Sequence, residues 1–379
     1  MINQSPQYAL LAPSIFDGVI LHSDSALLIQ DDHIIDLVSQ SHIPSEYRQY
    51  TFEGTLLPGF IDLQVNGGGG VLFNDAPTIQ GLTTIIESHQ NLGTAAILPT
   101  LITADDATIL AGLEAVKTGI EQNISGLLGI HIEGPMINPK RKGIHKLTNI
   151  RILNDEILEE ICNNSSFTRL VTLAPEMVPL KLIEKLKNAG VIVFAGHTEA
   201  SPSQLNEAIS AGMTGFTHLY NAMPQMESRN PGTTGFAIQS KTAYASIIHD
   251  TYHVNPLMVK LAYQSKPKGT LFLVSDAMSS IGSSQTEFIL DDQMIYVKDG
   301  RLTNKAGTLA GAHVDMATSI LNSMKYLDIS VDEALTMGTS TPANVIQSQQ
   351  YGYLKNGYKA VINQLKNGKI TSVSLKNLS

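Results

Sequence analysis

Two hydrophobic patterns alternate along the chain. Residues 8 to about 57 are short apolar segments, at 8–11, 19–21, 26–29 and 33–38, separated by Gly, Asp and Ser. None has a helical period, so they predict a layer of short strands. At Pro58-Gly59 the pattern changes. Apolar runs at 60–66, 94–98, 127–133, 170–176, 191–197, 215–218, 244–249 and 270–276 are interleaved with segments of helical period at 79–91, after 103–106, and at 180–189, 204–211 and 256–264. The runs lack alternation, as strands buried on both faces do. Eight such strands with intervening helices predict a (β/α)8 TIM-like barrel.

After the eighth run the pattern turns local again. Residues 287–303 predict a β-hairpin with its turn at 298–301, and helices are expected at 314–326 and 331–337. The tail, 353–378, returns to short β-segments around Asn356-Gly357 and Asn367-Gly368. The expected organisation is a small β-sandwich domain built from both termini, 1–57 plus 353–379, around a barrel at 58–352.

Composition narrows the function classes. Of 379 residues, 43% are hydrophobic and only 16% charged, which suits a large enzyme-like core. A net charge of −9 disfavours nucleic-acid or anionic-membrane partners. An anionic small substrate would need a local basic site. The single cysteine, Cys162, permits no internal disulfide and suits a reducing compartment. The first residues lack a basic segment followed by a long apolar one, so no leader is expected, and no run reaches a membrane-spanning length. A cytoplasmic location is the expectation.

Barrel enzymes carry their chemistry at the C-terminal ends of the strands. Here those ends hold Gln64 and Asn66, Glu133, His197, His218, His249 or Asp250, and Asp276. One carboxylate and two imidazoles, Glu133, His197 and His218, form a catalytic zinc-type ligand set with an open position. A divalent ion there would acidify bound water, and Asp276 is placed to take its proton. The plainer role for Asp276 is to pair with a ligating histidine. His131 is expected one layer below, and Lys140-Arg141-Lys142 are read as solvated spacing that returns His145 over the site. His89 and His313 are expected to be structural, and His22, His33 and His42 to lie on the surface.

The strings PGFID at 58–62, HIEGP at 131–135, GHT at 196–198, HLYNAM at 218–223 and SDA at 275–277 resemble the amidohydrolase superfamily. Within it they resemble the deacetylases of N-acetylglucosamine 6-phosphate. The resemblance implies hydrolytic deacetylation of that sugar phosphate by metal-activated water, within amino-sugar catabolism or recycling. Many superfamily members carry His-x-His at the first strand end, where this chain has Gln64-Val65-Asn66. Carboxamides are weak neutral ligands. One ion per subunit is therefore expected, Zn²⁺ first with Fe²⁺, Co²⁺ or Mn²⁺ as alternatives, while Gln64 and Asn66 contact its water or line the pocket.

The resemblance also implies roles for other residues. His145 would polarise the acetamide carbonyl. Asn221 and the backbone of Ala222 would contact the ligand. Arg229 and His253 would bind phosphate, in part across a homodimer interface, and Leu309-Ala310-Gly311 would lie against the sugar. The tail departs from the superfamily by lacking the usual Asp near 359–363. Two alternatives stay open: an N-acetylgalactosamine-6-phosphate deacetylase, and a catalytically silent barrel that binds sugar phosphates.

Overall fold

The computed structural model of the chain describes residues 6–290 and 293–375, so the outermost residues of the expected terminal domain fall outside it. Eight parallel strands form one sheet in chain order: β1 (Phe60–Val65), β2 (Thr94–Ile102), β3 (Gly129–Glu133), β4 (Thr168–Leu173), β5 (Ile192–Ala195), β6 (Gly215–Phe216), β7 (Tyr244–Ile247) and β8 (Leu271–Leu273). The ring closes just beyond β8. Asp276 N–H donates to the Gln64 carbonyl (3.0 Å), Asn66 N–H donates to the Ala277 carbonyl (2.9 Å), and Val65 bridges Ala277 in parallel. Every residue of β1, β2 and β3 is buried, which explains their unbroken apolar character.

Helices α1 (Ile79–Gln90), α2 (Asp106–Glu121), α3 (Asp155–Asn163), α4 (Leu180–Asn188), α5 (Pro202–Ala211), α6 (Gly232–Gln239), α7 (Pro256–Ser265) and α8 (Met316–Tyr326) cover the sheet. Most begin on a residue whose side chain accepts a hydrogen bond from the first turn: Thr78, Asp105, Asn154, Asn255 and Asp315. At α5 Ser201 and Gln204 form a reciprocal capping box. The Gly-rich α6 and a short helix at Ser340–Val345 were not anticipated. Almost all their residues are buried, so neither displays the polar face that a periodic pattern needs.

The termini build two further sheets. One orders Lys369–Val373, Ile362–Lys366, Thr55–Pro58, Ser14–Phe16 and Leu21–Ser23. The other orders His33–Ser39, Ser25–Gln30, Gln7–Leu11 and Arg48–Thr51. Leu10, Leu27 and Ile29 of one sheet and Ile15, Leu56 and Ile362 of the other share an apolar cluster. The expected strand at 19–21 begins only at Leu21. Val19 and Ile20 are exposed, and their N–H groups donate to Asp17 Oδ1 at 2.7 and 2.8 Å, which makes a turn. Asn356-Gly357 likewise forms a turn rather than a strand connection, whereas Asn367-Gly368 joins the last two strands.

The insertion after β8 is a three-stranded sheet, Glu287–Leu290, Gln293–Lys298 and Arg301–Asn304. Asp299 and Gly300 form its two-residue turn with φ of 51° and 73°, the left-handed pair such hairpins use. The sheet packs on the barrel mouth through Leu290, Ile295 and Leu302 against Leu72, Ile102 and Met278.

Candidate metal and catalytic site

The chemistry-bearing residues converge because each sits where a barrel strand runs out. Glu133 is the last residue of β3, and Gln64 and Asn66 flank the end of β1. His197 and His218 follow β5 and β6 by two residues, and Asp276 follows β8 by three. The last three share one backbone feature: φ is +50° at His197, +34° at His218 and +52° at Asp276. A non-glycine residue held there costs on the order of 1–3 kcal/mol, and such strain concentrates at functional sites. Here it turns each side chain off the strand direction and inward over the mouth.

Glu133 Oε1 lies 2.9 Å from His218 Nε2 and 3.2 Å from His197 Nε2, and the two imidazole nitrogens are 3.0 Å apart. One atom from each residue fits within 4.8 Å of the others. The tautomer of His197 can be read directly. Its Nδ1 is 2.7 Å from the Arg141 carbonyl, which can only accept, so Nδ1 carries a hydrogen and, when the ring is neutral, Nε2 presents a lone pair. In that neutral form the nitrogen and the carboxylate oxygen repel each other unless a cation, a proton or a metal ion, lies between them. The donor set therefore fits a divalent ion.

The two amides complete the floor. Gln64 Nε2 donates to Glu133 Oε1 and Asp276 Oδ1, each at 3.1 Å, and Asn66 Nδ2 donates to Asp276 Oδ1 at 2.7 Å. Their carbonyl oxygens, Gln64 Oε1 and Asn66 Oδ1, are buried with no protein partner, as is His218 Nδ1. The site thus holds unpaired polar atoms, two of them carbonyl acceptors, beside its ligand set.

Above this floor is a cavity of about 210 Å³. Of the residues singled out in the sequence, Asn66, Glu133, His145, His197, His218, Asn221, Ala222, His253, Asp276, Leu309 and Gly311 line it. Gln64 is behind that lining, bonded to both carboxylates. Ala310 instead lines a neighbouring cavity of about 240 Å³ between the 142–144 loop and the hairpin sheet. Arg229 is exposed and does not line the main cavity.

The amidohydrolase family profile matches residues 55–376. This chain belongs to the amidohydrolase family. It is 39% identical to an N-acetylgalactosamine-6-phosphate deacetylase from Shewanella sp. (strain ANA-3), over 81% of this chain and 78% of that protein. It is 32% identical to the N-acetylglucosamine-6-phosphate deacetylase of Haemophilus influenzae, over 90% of both. The crystal structure of N-acetylglucosamine-6-phosphate deacetylase from Pasteurella multocida superimposes with a TM-score of 0.92 at 30% identity, over 97% of this chain and 98% of that one. The barrel and terminal sheets are thus an amidohydrolase architecture.

The electrostatics suit an amidohydrolase site. Burial alone would raise the Glu133 carboxyl, but the hydrogen bonds and charge of His197 and His218 hold it well below the usual carboxylate range. Asp276 is pushed up to about 6 by burial and by the Glu133 charge, against the pull of His218 and the Asn66 amide. His131 lies one layer below as anticipated. Its Nε2 contacts Thr172 Oγ1 at 2.8 Å, and burial keeps the ring neutral down to about 4.

Several contributors were missed. Arg141 does more than space the loop: its carbonyl fixes His197 and its guanidinium pairs with Glu199. Glu176, just past β4, accepts from Asn138 Nδ2 (2.9 Å), Glu199 N–H (2.6 Å) and Thr198 Oγ1 (2.5 Å), so it ties down the loop that follows His197. Glu176 was legible as a strand-end carboxylate. Asp250 accepts from the N–H groups of Tyr252 and His253 (both 2.8 Å) and binds His253 Nδ1 at 2.6 Å, which orients that imidazole. Tyr252 in turn donates from its hydroxyl to the Asp299 carbonyl of the hairpin turn (2.8 Å). His249 is fully buried against α8, with Nδ1 on Ser323 Oγ at 2.9 Å, and faces away from the chemistry. His89 is buried on the Gly67 carbonyl, a structural position.

Proposed function

We propose that the protein hydrolyses N-acetyl-D-glucosamine 6-phosphate to D-glucosamine 6-phosphate and acetate, in amino-sugar catabolism or recycling. The observation that carries this reading is the convergence of Glu133, His197 and His218, with Asp276 held beside them by two amide donors, in an amidohydrolase whose relatives are named for this reaction. Glu133, His197 and His218 hold one divalent ion, Zn²⁺ in our reading. Such an ion lowers the pKa of bound water from 15.7 toward ~7 and polarises a carbonyl.

The chain's own residues do the rest. Asp276 anchors Oδ1 on the Gln64 and Asn66 amides, which leaves Oδ2 to take the proton of the attacking water and return it to the departing amine. His145, 1% exposed and beside His197, steadies the acyl oxygen as charge develops there. Asn221, Ala222 and the backbone at Leu309-Ala310-Gly311 hold the sugar. Arg229 and His253 bind the phosphate. The exposure of Arg229 supports a phosphate site completed at a contact with a second copy, hence a homodimer. The single cysteine suits action in a reducing compartment such as the cytoplasm. Among the described residues no helix is long and apolar enough to cross a membrane.

A second reading replaces the gluco epimer with N-acetylgalactosamine 6-phosphate. The relative at 39% identity supports it. Acetate release from both epimers, each with and without its phosphate, tests the proposal. The gluco phosphate is expected to give the highest kcat/KM, and the unphosphorylated sugars a much lower one. A preference for the galacto phosphate would transfer the assignment to the second reading.

A further inference from the structure

We propose that Thr103, which carries no role in the reading above, is the positioning residue that locks His145 in the tautomer able to donate from Nε2. The inference rests on the proposed role of His145 at the acyl oxygen. Thr103 is the first residue beyond β2 and His145 lies in the loop after β3, so two adjacent strand ends bring them together. The Thr103 backbone N–H donates to His145 Nδ1 at 3.3 Å, and the Thr103 hydroxyl lies 2.7 Å from the same nitrogen.

A ring nitrogen that accepts from both an amide N–H and a hydroxyl cannot carry a proton of its own, because the hydrogens would point at each other. The imidazole proton therefore sits on Nε2. The hydroxyl has a competing acceptor, the Glu133 carbonyl, but at 3.5 Å that contact is much longer than the one to Nδ1. The ring has little freedom to turn. It is 1% exposed, and its centroid is 4.3 Å from that of His197.

The consequence lies on the other edge of the ring. Nε2 faces the cavity, 3.9 Å from Glu133 Oε2. An amide oxygen that gains negative charge during hydrolysis needs a donor aimed at it, and an Nε2–H supplies one. The opposite tautomer would present a lone pair to the same oxygen and oppose the reaction. Thr103 acts through His145 and is not itself within reach of the reacting atoms. The locking hydroxyl and amide sit at a strand end that contributes no metal ligand, so this function is separable from metal binding.

The test uses metal-loaded protein. Thr103→Val removes the hydroxyl, keeps the shape and leaves the backbone N–H, and Thr103→Ser restores the hydroxyl. Loss of one hydrogen bond of this kind is worth roughly tenfold. Thr103→Val is expected to lower kcat about tenfold with KM within twofold, while Thr103→Ser stays within about twofold of wild type. Nitrogen-15 spectra of histidine-labelled protein, assigned against His145→Gln, read the tautomer without any assay. Wild type should show His145 bare at Nδ1 and protonated at Nε2, and Thr103→Val a mixture, because the N–H contact that remains is long, at 3.3 Å, and does not hold the ring alone. A proton on Nδ1 in wild type overturns the lock outright. So does a Thr103→Val variant at the wild-type rate when His145→Gln is strongly impaired. If His145→Gln itself keeps the wild-type rate, the reading of His145 falls instead, and the nitrogen spectrum alone decides the tautomer.

Discussion

Replacing Asp276 with Asn separates proton transfer from architecture. The exchange is isosteric. The new carbonyl can take the place of Oδ1 and keep the donors from Asn66 at 2.7 Å and Gln64 at 3.1 Å. What is lost is the charged, proton-accepting Oδ2. Burial already disfavours the charged carboxylate, so a neutral amide adds no desolvation cost. Fold and metal content should therefore persist. A positioned general acid–base group contributes about 10²–10⁴ in rate, which is about 2.7–5.4 kcal/mol of barrier. The expected result is a kcat lower by that factor, with KM little changed and metal at the wild-type stoichiometry. Acetate release and elemental analysis on the same preparation read all three quantities. A kcat within threefold of wild type at full metal content would refute the proton-transfer role. Loss of the metal together with activity would assign Asp276 to holding the ion instead.

The remaining predictions address the ion, its supports and the fold. Stripping metal with a chelator should abolish acetate release, and one equivalent of Zn²⁺ per chain should restore it. A requirement for two equivalents contradicts the carboxamide argument at Gln64 and Asn66, and a metal-free, inactive protein that Zn²⁺ cannot rescue favours a silent barrel. Glu176→Gln loosens the loop behind His197, and metal affinity should fall about 10–100-fold in a competition titration; unchanged affinity would show that the Arg141 carbonyl suffices. His249 gives a pH dependence of stability. Burial lowers it from 6.5 to about 4, against the pull of Asp250. Between those values the unfolded chain binds a proton that the folded one does not, so stability falls as pH drops from 6.5 toward 4, by up to ~3 kcal/mol from this residue. Denaturant titrations of His249→Gln should show a shallower slope over that window, and an unchanged slope sinks the assignment.

The parts of the site that could be read from sequence are those in which residue type and position coincide. An apolar run that stops on Glu133, His197, His218 or Asp276 announces a strand end with chemistry on it. Burial on both faces of the barrel strands makes such runs unbroken, so the eight-strand count was accessible too. Contacts made by backbone groups leave no comparable trace. The Arg141 carbonyl that sets His197, and the Thr103 N–H that meets His145, would be present whatever side chains stood there. Their positions depend on where a loop returns, and loop paths follow from tertiary packing. Arg229 shows the reverse difficulty: a residue type suited to phosphate stands in a loop that one chain leaves exposed. The basic loop combines both lessons. Read by charge, 140–142 looks like a solvated tether. In the fold, its decisive atom is a neutral carbonyl oxygen, which sets the tautomer of one ligand histidine and so makes a lone pair available where the metal must bind.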